Sequence, residues 1–204
     1  MTIRRTGPID PCQLAFDIDG VVADTMSIFV RLARERYGLT HLSKQDMLCY
    51  NLYECLDLQR EIIDDLICLT LDDRHTMEIP PVPGAPEVLM ELAGVTPLRF
   101  ITARVWSESI TQWLFTILPD VPRERITVIA SGSPERKLDI LNELQIRYFV
   151  DDRVETCKHL KEAGIEPLLF DQPWNRNESA NGLIRIQNWT QLKSWVLPSD
   201  VNLE

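Results

Sequence analysis

Between Pro83 and Val196, short apolar runs alternate with stretches of helical periodicity. That alternation restricts the chain to a parallel sheet covered by helices, because parallel neighbours must be joined by crossovers. The runs are Leu98–Ile101, Ile126–Ile129, Tyr148–Val150, Leu168–Phe170 and a short edge candidate, Ile184–Ile186. Pro86 stands near the start of the first intervening helix, Val88, Leu89 and Leu92 give its apolar face, and Gly94 reads as its stop. Ile110, Trp113, Leu114 and Ile117 mark the next, with Ser107 as a cap and Pro119 beyond its end. Ser133-Pro134 opens a third, carrying Leu138, Leu141 and Leu144. A fourth runs to Gly164, residues 171–182 read as a polar loop, and Thr190–Val196 closes the series. One further apolar run, Leu14–Phe16, precedes all of these.

A helical block interrupts the pattern after that first run. Ile28, Phe29, Leu32 and Ala33 recur at helical spacing before Gly38, and Ser43 to Asp46 has the form of a capping box. Leu58, Ile62, Ile63, Leu66 and Ile67 form another amphipathic stripe, and Ile79 to Gly84 reads as a proline-rich hinge. The expected organisation is an α/β core over residues 1–24 and 79–204, with a helical cap over 25–78. The plainer alternative is that the block only adds core helices.

The 204 residues suffice for one large domain, and 45% hydrophobic with 25% charged content is ordinary for a soluble protein. A formal net charge of −10 repels phosphate backbones and anionic lipid, so neither nucleic acid nor membrane is expected as a partner. An anionic substrate would need a local cluster of positive charge. Five cysteines without a CxxC pair, and three scattered histidines, give neither zinc spacing nor a disulfide framework. Arg4 and Arg5 are followed by no apolar run, so no signal peptide is expected and a cytoplasmic location is the default.

Chemistry-bearing residues stand directly after the apolar runs. Asp17 and Asp19 follow the first, with Gly20 next. Thr102 and Arg104 follow the second, and the third leads through Ser131-Gly132-Ser133 to Lys137. Asp151, Asp152 and Arg153 follow the fourth. In a parallel sheet these ends share one edge, where open α/β sheets bind ligands. Carboxylates held together repel unless a cation or a shared proton relieves them, so the pattern points to a metal site, a proton-sharing site, or both. The set suits phosphoryl transfer: a carboxylate nucleophile, a hard dication with oxygen ligands, cationic and hydroxyl donors for the phosphoryl oxygens, and a second carboxyl for proton transfer.

In order and content these residues resemble the haloacid dehalogenase superfamily. Its DxDx(V/T) motif is matched by Asp17-Ile18-Asp19-Gly20-Val21, its Thr after a strand by Thr102, its lysine by Lys137, and its acidic pair by Asp151-Asp152. The resemblance implies Asp17 as nucleophile and Asp19 as general acid/base. It implies Mg2+ held by the Asp17 carboxylate, the Asp19 carbonyl and Asp151, with Asp152 supporting the metal shell. Thr102 and Lys137 would bind the phosphoryl group. A cap between the first two motifs is also a family arrangement. A carboxyl at Asp19 favours phosphoester over dehalogenase chemistry, because a halide leaves without a proton.

The first and fourth motifs with Arg153, and the segment Phe170 to Arg176, also resemble the 5′(3′)-deoxyribonucleotidase group. That resemblance implies a small phosphomonoester, a nucleoside monophosphate, as substrate. Arg153 is then a candidate for substrate contact, and Phe29 and Trp174 for stacking on the base, although Phe29 also lies on an apolar stripe; Arg104, a further candidate from its place after the second run, departs from the small or polar residue that the group carries beside this Thr. The rivals are a phosphatase for another metabolite, such as a sugar phosphate, a phosphomutase, and a non-catalytic phosphate-binding protein on the same scaffold.

Overall fold

The computed structural model describes residues 8–197; the two ends of the expected core range, with Arg4 and Arg5, lie outside the described residues. β1 (Leu14–Phe16) is followed by four helices, α1 (Thr25–Tyr37), α2 (Leu52–Cys55), α3 (Arg60–Thr70) and α4 (Asp73–Thr76). Regular alternation then begins: α5 (Ala85–Val95), β2 (Leu98–Thr102), α6 (Glu108–Ile117), β3 (Ile126–Ala130), α7 (Lys137–Glu143) and β4 (Tyr148–Asp151). It continues through α8 (Val154–Glu162), β5 (Glu166–Phe170), β6 (Ile184–Ile186) and α9 (Trp189–Val196). All six strands join one parallel sheet in the order β3-β2-β1-β4-β5-β6.

Strand side chains alternate between faces, and both faces are dry. Leu14, Phe16, Phe100, Tyr148 and Val150 enter one apolar cluster, while Ala15, Ile101 and Phe149 enter another. On the first face Trp189 of α9 packs against Phe16, ring centroids 5.4 Å apart, and its indole N–H donates to the Val21 carbonyl at 2.9 Å. Phe29, Met47 and Leu66 of the helical block join this same cluster.

Local details depart from the sequence expectations in small ways. Gly94 lies inside α5, which ends with Thr96 as its cap, because its backbone stays helical. α7 begins at Lys137, after a turn that occupies the expected opening at Ser133-Pro134. Ser107 stands at the N-cap of α6 but makes no side-chain cap bond there. The Ser43 capping box closes a single 3-10 turn, Lys44–Asp46.

The helical block leaves and rejoins the core through two paired legs. Asp24 N–H donates to the Pro80 carbonyl at 2.9 Å, and Val82 N–H to the Val22 carbonyl at 2.7 Å. Pro81 and Pro83 have no N–H to offer, so pairing stops after these contacts. On the return leg, Trp113 of α6 donates its indole N–H to the Ile79 carbonyl at 2.8 Å.

Candidate active site

The chain runs from β1 to β2 and β3 on one side, then crosses back to place β4 against the other side of β1. Ligands of open α/β sheets bind at such a switch point, beyond the carboxyl ends of the strands. Asp17 follows β1 and Asp151 ends β4, and the strands are joined there by the Asp17 N–H to Val150 carbonyl bond at 2.8 Å.

Lys137 organises this edge. It opens α7, is 2% exposed, and sends its ammonium to Asp17 Oδ2 at 2.6 Å and Asp151 Oδ2 at 2.8 Å. Burial alone would lower its pKa, but the two carboxylates hold it above the usual lysine value. Asp17, Asp151 and Asp152 present oxygens that all lie within 4.8 Å of one another. Burial pushes Asp17 up to about 7, against the attraction of Lys137 and with a contribution from Asp151. Burial, then the charges of Asp151 and Asp17, push Asp152 well above the carboxylate range. Three buried carboxylates facing one ammonium leave negative charge uncompensated, and an all-oxygen donor set of this kind fits a hard divalent cation.

That electrostatic pressure has a measurable consequence. Asp17 binds a proton up to about pH 7, so a metal must displace it. Apparent affinity for a divalent metal should fall at least about tenfold for each pH unit below that value, with proton release visible calorimetrically in buffers of different ionisation enthalpy. The sign for stability is opposite. A folded pKa raised from 3.8 to about 7 stabilises the metal-free protein below pH 3.8, and that contribution declines as pH rises to about 7. Metal affinity independent of pH between 5 and 8 would contradict this account.

The second carboxylate is held apart from the triad. Asp19 accepts from Arg104 Nε at 2.9 Å, from Arg104 Nη2 at 2.8 Å, and from the Thr25 hydroxyl at 2.6 Å. Burial would raise its pKa, but the Arg104 charge and hydrogen bonds hold it below the usual value. The buried Thr102 hydroxyl lies 3.5 Å from Asp19 Oδ2 and accepts the Arg104 N–H at 3.2 Å. Asp17, Lys137, Asp151 and Asp152 thus form one buried cluster at this sheet edge, and Asp19 and Thr102 meet each other beyond the neighbouring strand ends.

The segment after β5 supports the acidic pair from behind. Trp174 Nε1 donates to Asp152 Oδ2 at 2.8 Å, and Asn175 Nδ2 donates to the Asp152 carbonyl at 2.8 Å. Gln172 Nε2 donates to the Gly20 carbonyl at 2.6 Å. Gly20 has φ +77°, and a Cβ there would stand 2.3 Å from Asp152 Oδ2. Gly20→Val should therefore displace Asp152 and weaken metal binding by tenfold or more, roughly 1.4 kcal/mol; unchanged metal affinity in a titration would show that Asp152 tolerates the intrusion.

The expected stacking rings are placed otherwise. Phe29 is fully buried in the core, and Trp174 is 5% exposed with its indole tied to Asp152, so neither offers a free face to a base. The physical reason is ordinary packing: both rings are enclosed by apolar neighbours. Arg104 contacts Asp19 rather than open solvent. Arg153 donates its backbone N–H to Asp151 Oδ1 at 2.8 Å, pairs with Glu135 and Glu155, and lies over the Tyr50 ring, 4.9 Å from its centroid. Tyr50 comes from the helical block and stays 46% exposed; partial burial of its hydroxyl, then the charges of Asp152, Asp17 and Asp151, push its pKa up. Thr25, Thr76 and Gln172 also contact the site through single hydrogen bonds that no sequence motif announces; only the Pro-Trp-Asn run near Gln172 gave a signal.

Residues 11–199 match the family described as 5′ nucleotidase, deoxy (pyrimidine), cytosolic type C. A nucleotidase of Clostridium acetobutylicum is 21% identical over 184 residues, covering 90% of this chain and 93% of its own. A nucleotidase candidate from Halalkalibacterium halodurans is 26% identical over 202 residues, covering 96% and 95%. Among solved structures, a Bacillus subtilis HAD-type hydrolase bound to magnesium has a TM-score of 0.59 at 15% identity, covering 92% of this chain and 98% of that one. CbbY of Rhodobacter sphaeroides, in complex with phosphate, has a TM-score of 0.56 at 16% identity, covering 90% and 96%. These structures share the fold. With its motifs assembled at one sheet edge and its length matched almost throughout, the chain belongs to the cytosolic type C 5′-nucleotidase family, phosphatases of the haloacid dehalogenase-like fold.

Proposed function

We propose that this enzyme is a magnesium-dependent phosphomonoesterase that forms an aspartyl-phosphate on Asp17 and acts on nucleoside monophosphates. The observation that carries the reading is Lys137 bridging Asp17 and Asp151 within a buried acidic triad. An Asp17 oxygen attacks phosphorus and the ester P–O bond breaks. Lys137 and the Thr102 hydroxyl neutralise and orient the phosphoryl oxygens. Asp19, ionised at rest, takes up the proton that a phosphomonoester monoanion brings into the site and passes it to the leaving alkoxide; it then accepts a proton from the water that cleaves the acyl phosphate, which frees inorganic phosphate and restores Asp17. Asp17, Asp151 and the Asp19 carbonyl would hold Mg2+ with Asp152 in support; when bound, it neutralises phosphate charge.

Residues 25–78 act as a cap in this reading, since the Tyr50 ring of that block lies 4.9 Å from the Arg153 guanidinium, next to the acidic pair, and Thr25 and Thr76 bond to Asp19 and Arg104. Tyr50 and Trp106 replace Phe29 and Trp174 as the rings available to a nucleobase. Trp106 stands two residues beyond Arg104 and, at 75%, is the most exposed large hydrophobic side chain among the described residues.

A phosphate-release screen over nucleoside monophosphates, ribose 5-phosphate and glycerol phosphate, with and without Mg2+, tests the proposal. A stacked base contributes about 1–3 kcal/mol, so kcat/KM should favour nucleotides by roughly 5- to 150-fold. Tyr50→Ala or Trp106→Ala should reduce that preference while sparing ribose 5-phosphate. Equal turnover of sugar phosphates would replace the nucleotidase assignment with a general metabolite phosphatase. Full activity in excess chelator would remove the metal.

A further inference from the structure

We propose that Arg104 is a positioning residue: its guanidinium fixes the Asp19 carboxylate and fastens it to the exit of the helical block through Thr76. The proposal rests on the reading of Asp19 as the proton-transfer group, and it replaces the substrate contact expected of Arg104 from its place after the second strand.

The guanidinium meets both Asp19 oxygens in a two-point fork, at 2.9 and 2.8 Å. Its third nitrogen, Nη1, donates to the Thr76 hydroxyl at 2.7 Å. Thr76 is the last residue of α4, and Thr25, which donates to the same Asp19 at 2.6 Å, is the first residue of α1. Both ends of the helical block thus contact the Asp19–Arg104 pair. The arginine backbone is also fixed, because its N–H donates to Thr102 and its carbonyl accepts the Gly132 N–H at 3.1 Å. Arg104 is only 9% exposed and all three of its nitrogens bond to protein atoms.

A planar fork restrains a carboxylate in direction as well as distance, which a lysine cannot do. Proton transfer demands that restraint: a carboxyl 1 Å out of place can cost about 10²-fold. The hydrogen bond to Thr76 makes the restraint depend on where the block's last helix sits. A substrate that seats the block correctly would also seat Asp19.

The test compares Arg104→Ala, Arg104→Lys and Thr76→Val with the wild type on an alkyl phosphomonoester and on p-nitrophenyl phosphate. Arg104→Ala should lower kcat for the alkyl ester by about 10²-fold with KM changed less than about threefold. The aryl ester needs less protonation, so its phosphorylation rate should fall about tenfold less. Added guanidinium should recover part of the alkyl rate in Arg104→Ala, and Arg104→Lys should recover little. Thr76→Val should shift the same alkyl-to-aryl ratio in the same direction, by a smaller factor. A rise in KM at constant kcat would make Arg104 a substrate ligand instead, and equal losses on both esters would leave it a purely structural residue; either outcome overturns the proposal. Nitrogen-15 spectra of the arginine side chains read the clamp without turnover. Hindered Arg104 resonances should be present in the wild type and lost in Asp19→Ala; freely rotating Arg104 in the wild type would also overturn it. If no phosphomonoester is hydrolysed while the clamp resonances are present, the phosphatase mechanism fails and the clamp stands.

Discussion

Lys137→Met is expected to lose both catalysis and stability, and to lose stability more at alkaline than at acid pH. The side chain is enclosed and touches two of the three buried carboxylates. Removing one partner of a buried ion pair leaves uncompensated charge, typically at a cost of about 3–5 kcal/mol. For a chain of this length that is a melting temperature lower by roughly 6–20 °C. Without the ammonium, Asp17 and Asp152 can be relieved only by protons, and proton supply falls as pH rises. The deficit should therefore be smaller near pH 5 than near pH 8, measured by calorimetry in chelator. Divalent metal should restore part of the stability. It should not restore turnover, because in the proposed mechanism a hydrogen-bond donor to the phosphoryl oxygens is gone; a loss on the order of 10²–10³-fold in kcat is the usual effect of deleting one such donor. A variant that melts like the wild type at pH 8 would show that the triad is already neutralised by another route.

Asp17→Asn should nearly abolish hydrolysis. An amide is a poor nucleophile toward phosphorus, and deleting a covalent nucleophile costs on the order of 10⁶-fold in kcat in a serine protease. The fold should be kept, since amide and carboxylate have the same shape and the Asp17 backbone bond to Val150 is untouched. Above pH 7, loss of one charge from the crowded triad should raise the melting temperature of the metal-free protein. Fluoroberyllate, which copies an acyl phosphate, should form an adduct with the wild type in Mg2+ and not with the variant. Turnover within tenfold of the wild type, with deamidation excluded by mass spectrometry, would rule out the covalent route and leave direct attack by water.

The layout of the sheet and the residues at its edge were legible in the sequence because both follow short-range rules. A strand buried on both faces reads as an apolar run, its crossover helix reads as a 3.6-residue period, and parallel order puts every strand exit on one side. Asp17, Thr102, Lys137 and Asp151 could therefore be expected together although more than a hundred positions separate the first from the last. What each side chain does once there was decided by packing in three dimensions. Phe29 and Trp174 read as ring candidates, but enclosure by neighbours left neither a free face, while Tyr50 was carried to Arg153, beside the acidic pair, by a block whose placement no local pattern encodes. Arg104 shows the difference most clearly. Its identity two residues past Thr102 suggested contact with an anionic substrate, yet the anion it meets is Asp19, and its third nitrogen reaches Thr76, a residue without any motif. Periodicity fixes which way a side chain leaves its own element; which partner waits there depends on contacts between residues distant in sequence, and only the folded chain supplies them.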